Sequence, residues 1–243
     1  MAGRCTWTLG LLFLAQTGWA QTITVEYRDK PPYTYSQNGK PAGFLMQRLI
    51  AILQQADIRA TYSEIPAKRI IHDLQDDKLA ICSPGWYKIP EREAFARFSR
   101  PIHQDKPHIV VANRQVADQL RAFKSLKRLL ADPDFKLGKV FGVSYGPVLD
   151  AMIASANQAV TDSVVTPDGL AHMVAQHRAD YMLMDQEDYQ YLRQANLLDS
   201  DKIATLTYPD MPPGLKRYIL CSRHVSPATM RRIDAAIQTM QSE

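Results

Sequence analysis

The residues best suited to chemistry fall in two places. One is the stretch from Pro90 to Pro101, which carries Glu91, Arg92, Glu93 and a Phe98-Ser99-Arg100-Pro101 turn, and follows a short apolar strand, Leu79 to Cys82. The other is Asp185, just past a second apolar strand, Asp180 to Met184. A guanidinium meets a carboxylate through two parallel hydrogen bonds, and an aspartate accepts from an ammonium. Placed after strands in separate halves of the chain, Arg92 and Asp185 predict one cleft that takes a small solute carrying both charges. Each charge-assisted bond contributes roughly 1.5–3 kcal/mol where water is excluded. A few of them beside an aromatic wall reach the about 8 kcal/mol of micromolar binding. Tyr33 and Trp86 are the wall candidates, and Ser144 and Tyr145 lie in a loop of the second half. The plainer alternatives are a surface Glu-Arg-Glu cluster for Arg92 and a helix cap for Asp185.

Other chemistries find little support. The turn Gly142 to Gly146 lacks the Lys-Ser/Thr ending of a phosphate cradle, and there is no Gly-x-Ser-x-Gly elbow. The six histidines are scattered, and His172 and His177 are poorly spaced to share a helix face, so no metal is expected. No cofactor is expected either. Charge is mild and mixed, 29 basic against 25 acidic residues. Its densest basic run, Arg121 to Arg128, alternates with Leu and Phe as a solvated helix face does, which argues against nucleic acid as a partner.

Residues 1–20 read as a secretory signal. Arg4 precedes an apolar run through Leu9, Leu11, Leu12, Phe13 and Leu14, and Gly18-Trp19-Ala20 offers small residues for cleavage before Gln21. Roughly 220 residues remain, enough for one large domain or two lobes of roughly 100 each. Cys82 and Cys221 then form an even pair in an oxidising compartment, which invites a disulfide; two buried thiols are the alternative.

The elements that position these residues alternate. Ile23, Val25 and Tyr27 have strand period, Leu45 to Ala56 has helical spacing, and Pro66 opens a second helix before Leu79–Cys82. Ile109 to Ala112 reads as a strand leading out of this unit. A second α/β unit follows through Lys139–Val143, Val148–Ala156, Ser163–Val165, Asp168–His177 and Asp180–Met184. Arg217 to Ser222 is a last strand, and an amphipathic helix begins at Pro227. Strand–helix alternation implies parallel sheets. A Cys82–Cys221 bridge would return the last strand to the first unit. The expected fold is therefore α/β and two-lobed, each lobe a mainly parallel sheet flanked by helices. Lobe one spans 21–112 and 209–243, lobe two 113–208, joined by a two-strand hinge with the cleft between.

Read this way, the chain resembles the bacterial periplasmic solute-binding proteins of the polar amino-acid ABC transporter type, family 3, over nearly its whole mature length. The marks are Pro31-Pro32-Tyr33, Gly39 through Gly43-Phe44, Glu91-Arg92 with Phe98-Ser99, Gly142 through Gly146, and Arg178 through Asp185. The resemblance implies that Arg92 clamps a ligand carboxylate and that Asp185 receives its ammonium. It departs from the family at Ile89, where Thr is usual, at Pro84-Gly85-Trp86-Tyr87, which replaces a Ser-rich stretch, and at Pro147, which has no amide to donate. These changes remove carboxylate donors and add aromatic bulk. The implied function is non-catalytic: a periplasmic monomer that closes on an amino-acid-like solute and hands it to an inner-membrane ABC permease. The alternatives are an enzyme on the same scaffold, resembling the cyclohexadienyl dehydratases, with Glu64, Glu91 or Asp185 as general acid, or a ligand sensor not coupled to transport.

Overall fold

A computed structural model describes residues 22–141, 143–156 and 160–242. The expected signal segment and Gly142 of the glycine turn lie outside the described residues. Two five-stranded sheets carry the fold. In the first, β1 (Ile23–Tyr27), β4 (Ala60–Glu64) and β5 (Ile81–Tyr87) run parallel, connected by α1 (Phe44–Gln55) and α2 (Ala67–Asp76). A hairpin, β2 (Tyr35–Gln37) and β3 (Lys40–Ala42), turns at Asn38-Gly39 between β1 and α1, both residues at positive φ as such a turn requires. The short α3 (Pro90–Glu93) follows β5 and leads into β6 (Ala96–Gln104).

The chain then crosses into the second sheet at β7 (Ile109–Asn113). Two short helices follow, α4 (Ala117–Ala122) and α5 (Leu126–Ala131), the latter capped by Ser125. A second parallel unit comes next: β8 (Leu137–Val140), α6 (Pro147–Ala154), β9 (Val160–Ser163), α7 (Pro167–Ala175) and β10 (Tyr181–Met184). After α8 (Gln186–Gln194) and β11 (Ile203–Leu206) the chain returns to the first sheet as β12 (Lys216–Ser222), and α9 (Pro227–Ser242) ends it. The sheet orders are β4-β1-β5-β12-β6 and β11-β7-β10-β8-β9. Reversing the second aligns the two strand for strand. In each sheet the strand arriving from the other lobe is the antiparallel one: β12 against β5 and β6, β7 against β10 and β11.

Burial explains why these segments form these elements. Helix α1 turns Leu45, Met46, Leu49, Ile52 and Leu53 toward β1 and α9, where Ile233 and Ile237 meet them. Each such side chain contributes about 1.5–3 kcal/mol on leaving water. Gly43, at φ 101°, starts that helix because a Cβ there would lie 2.4 Å from the Tyr33 carbonyl oxygen. Helix α2 covers the other face through Ile70 and Leu74, packed with Ile81 and Leu220. Separate apolar clusters cover the two faces of the second sheet in the same manner. Cys82 and Cys221 stand directly opposite each other on β5 and β12 and are bridged, S–S 2.03 Å, so the disulfide alternative is the one realised.

Four expectations about the fold need correction. Ile109–Asn113 belongs to the second sheet, so the first lobe ends before residue 109 rather than at 112. Tyr208 and Met211 pack with the second lobe's core, which moves the return boundary past 209. The Phe98-Ser99-Arg100-Pro101 turn lies inside β6, which absorbs Pro101 through a shift of register against Tyr218. Strand β5 likewise runs on through Pro84-Gly85-Trp86-Tyr87.

Candidate functional site

Both lobes aim the carboxyl ends of their parallel strands at each other, the position where open α/β sheets place ligands. A cavity of about 440 Å³ lies there, within the size range of small-molecule sites. Lobe one lines it with Arg28 and Lys30 after β1, with Trp86, Tyr87 and Arg92 at and after β5, and with Arg217 on β12. Lobe two lines it with Ser144 and Tyr145 after β8 and with Asp185 and Asp188 after β10. His108 enters from the first crossing.

Charge is divided between the lobes. The cations Arg28, Lys30, Arg92 and Arg217 come from lobe one, which adds a single exposed acid, Asp29, and the carboxylates Asp185 and Asp188 come from lobe two. Asp185 occupies the N-cap position of α8, yet its side chain caps nothing. Instead it meets Lys30 Nζ at 3.7 Å, Arg217 Nη2 at 3.5 Å and His108 Nε2 at 3.2 Å. Burial pushes its carboxyl up, but Lys30, His108 and Arg217 outweigh burial and hold it below the usual carboxylate range. Lys30 also reaches Asp188 at 3.9 Å. Asp188 lacks a second cation this close among the described residues, and burial pushes its carboxyl up to about 6.

Arg217 is 1 % exposed and acts as the hub. Its Nε donates to Asp105 Oδ1 at 2.7 Å, its Nη1 to the Gly85 carbonyl at 3.2 Å and its Nη2 to Tyr87 Oη at 2.8 Å. Tyr87 Oη in turn donates to Asp105 Oδ2 at 2.7 Å. This network is tied to the two crossings between lobes, where Asp105 N donates to the Leu215 carbonyl. Gly214 is required at that point because a Cβ would lie 1.8 Å from the Asp105 oxygen.

Arg92 and Arg28 share one ring. Their guanidinium carbons lie 4.8 and 5.0 Å from the Trp86 centroid. Arg92 Nη1 donates to the Tyr87 carbonyl, and neither arginine has an ion-pair partner among the described residues. Burial, followed by Arg217 and Arg92, lowers Arg28 to about 10. The surface-cluster alternative for Arg92 thus gives way to a position on the cavity wall, where Glu93 pairs with Lys88 instead.

Of the residues expected in the site, Trp86, Arg92, Ser144, Tyr145 and Asp185 line this one cavity. Tyr33 does not. It is buried beneath the wall, its ring under Lys30 Nζ at 4.6 Å and Arg217 at 4.2 Å, so it supports cations rather than facing the cavity. Ser144 donates to Asp150 Oδ2, and Asp150 also accepts from the Tyr145 amide, closing the turn before α6. Tyr145 is buried, its ring 5.6 Å from that of His108. Glu64 and Glu91 are exposed and absent from the lining, so of the expected acids only Asp185 is present there. Arg28, Lys30, Tyr87, His108, Asp188 and Arg217 were not anticipated. The available signals were a basic pair directly after the first strand and an arginine inside the apolar strand Lys216–Ser222. Among the described residues no group of His, Cys, Asp and Glu is placed to hold a metal.

An α/β chain in two lobes with a charged cavity at facing strand ends has the architecture of a binding protein. The family model of the bacterial extracellular solute-binding proteins, family 3, matches residues 23–243, and the chain belongs to that family. No curated protein matches it. Among solved structures, one from the glutathione import system of GshT and the cystine ABC importer TcyBC of Streptococcus mutans shares 14% identity. It covers 92% of this chain and 90% of its own, with a TM-score of 0.69. The arginine-, lysine-, histidine-binding protein ArtJ of Geobacillus stearothermophilus shares 16% identity over 91% and 90%, TM-score 0.65. An ancestral amino-acid-binding protein, AncCDT-1, a precursor of cyclohexadienyl dehydratase, shares 19% over 91% and 90%, TM-score 0.65. At these identities the likeness concerns the fold. No described helix is long and apolar enough to cross a membrane.

Proposed function

We propose that the protein binds a small carboxylate-bearing solute, of amino-acid size, in the interlobe cleft and presents it to an ABC permease from the periplasm. The carrying observation is the meeting of lobe-one cations and lobe-two carboxylates around one cavity at the strand ends. Family membership and neighbours described as arginine-binding or as part of a glutathione and cystine import system support transport as the purpose. In this reading Arg92 holds the solute's carboxylate against Trp86, and closure about the two crossings excludes water from the pair. Calorimetry with a solute panel on the native protein and on Arg92→Ala tests it. Affinity should fall at least about tenfold in the variant, a loss of about 1.4 kcal/mol. Undiminished binding would remove the cleft from the account.

A catalytic reading rests on one observation, a cleft carboxyl, Asp188, held near 6 where it could serve as an acid. The neighbour described as a dehydratase precursor suggests the assay. Release of product from prephenate or arogenate, lost in Asp188→Asn, would establish catalysis, and the binding reading expects none.

A further inference from the structure

Resting on the binding reading above, we propose that the ligand is a small organic dianion, two carboxylates on an apolar body, and that it needs no ammonium. Each acid that could receive an ammonium already has a cation of the chain within ion-pair distance, although Asp185 Oδ1 and Asp188 Oδ1 have no hydrogen-bond partner among the described residues. Asp185 is met by Lys30, Arg217 and His108, Asp188 by Lys30, and Asp105 by Arg217 and Tyr87. Lys30 therefore stands where a ligand's ammonium would otherwise be received. Apart from the exposed Asp29, the charged groups of the wall that have no ion-pair partner among the described residues are cationic. The Arg28 side chain makes no hydrogen bond or ion pair among the described residues, although its carbonyl accepts from Thr34 Oγ1, and the one side-chain bond of Arg92 goes to a backbone carbonyl. Asp29, the remaining acid of the lining, is exposed and pairs with neither.

Two guanidinium groups sharing the Trp86 ring, with a third from Arg217 behind them, repel one another, and the ring face compensates only partly. A single carboxylate that meets one arginine fork to fork uses both its oxygens there and leaves the other arginine for a second anionic group. A ligand with two satisfies both. Beside its polar residues, lobe two also lines the cavity with Val140, Val143, Met182 and Met184, which suit a hydrocarbon body.

The test is calorimetric titration of the purified protein with glutarate and phthalate as dianions, butyrate and benzoate as monoanions, and glutamine and arginine as amino acids. We expect the better dianion to bind about tenfold or more tightly than its matched monoanion and than either amino acid. Arg28→Gln should erase the dianion's advantage over its monoanion. Lys30→Met, which leaves Asp185 only Arg217 and His108 and takes from Asp188 its one close cation, should raise affinity for glutamine and arginine about tenfold. Glutamine or arginine binding as tightly as the better dianion overturns the proposal, as does failure of both dianions to bind, or Lys30→Met leaving amino-acid affinity unchanged. If an amino acid binds and Arg92→Ala abolishes that binding, the class of ligand is wrong and the binding reading stands. Solute binding that persists unchanged in Arg92→Ala overturns the binding reading itself.

Discussion

Replacing Asp188 by Asn should change the pH dependence of stability in a calculable way. Asp188 is 8 % exposed on α8, and burial raises its carboxyl from 3.8 to about 6. Lys30 and Arg217 oppose the rise, and Asp185 and Asp105 add to it. Because the folded value is raised, the native protein holds a proton that the unfolded chain releases between pH 3.8 and about 6. Stability from this group is full below 3.8 and lost as pH climbs through about 6. The full swing is roughly two pH units, or about 3 kcal/mol. Between pH 8 and pH 5 the wild type regains about 1.4 kcal/mol of it, since pH 5 lies one unit below the folded value.

Asp188→Asn removes the titration but keeps the shape. Urea unfolding of both proteins at pH 8 and pH 5 measures the effect, with shifts from other groups cancelling in the comparison. The variant's relative stability should decline by about 1.4 kcal/mol from pH 8 to pH 5, a narrowing of about 3–6 °C in Tm for a protein of this size. Parallel stability–pH curves for the two proteins would refute the assignment, because Asp188 would then titrate as an ordinary surface acid.

Other perturbations give equally definite outcomes. Cys82→Ser with Cys221→Ser opens a cross-link spanning 139 residues and should cost about 5 kcal/mol in denaturant unfolding on the chain-entropy account. Retention of full stability would show that the bridge constrains nothing. Arg217→Met strands Asp105 in the interior and should destabilise by about 3–5 kcal/mol, read as a lowered urea midpoint. Gly214→Ala drives a methyl into the Asp105 carbonyl and should cost about 1–3 kcal/mol, where a neutral result would mean that the crossings separate freely.

The helices and parallel strands were legible because their signals are local. Leu45, Met46, Leu49 and Leu53 recur at helical spacing, and all four are buried. The bridge was legible because only two cysteines follow the expected cleavage site. The misreadings share a cause. Pro84-Gly85 and Pro101 read locally as chain breakers, but pairing with β12 on both sides keeps β5 and β6 extended through them. Ile109–Asn113 has the pattern of a buried strand in either lobe, and only its partners β10 and β11 assign it. In the site, Arg92 and Asp185 were found because each follows a strand, and by the same reasoning Arg28 and Lys30 should have been. Asp185's occupation by Lys30 was invisible because it depends on how closely the lobes approach, which no sequence spacing encodes.

That approach also fixes what each lobe contributes to recognition. Lys30 and Arg217 bridge to Asp185 across the cleft, so part of the attraction between the lobes comes from the chain itself. A ligand shifts closure only by the affinity it gains in the closed form over the open one. On the proposed reading its anionic groups sit on Arg28 and Arg92, both from lobe one, and exist in either form. The gain must then come from lobe two covering those pairs with Val143, Met182 and Met184. An ion pair at 4 Å strengthens several-fold as the effective dielectric falls from that of water toward about 20. Lobe two would thus act on the ligand mainly by removing water, and the apolar character of its wall would matter to affinity as much as the arginines it covers.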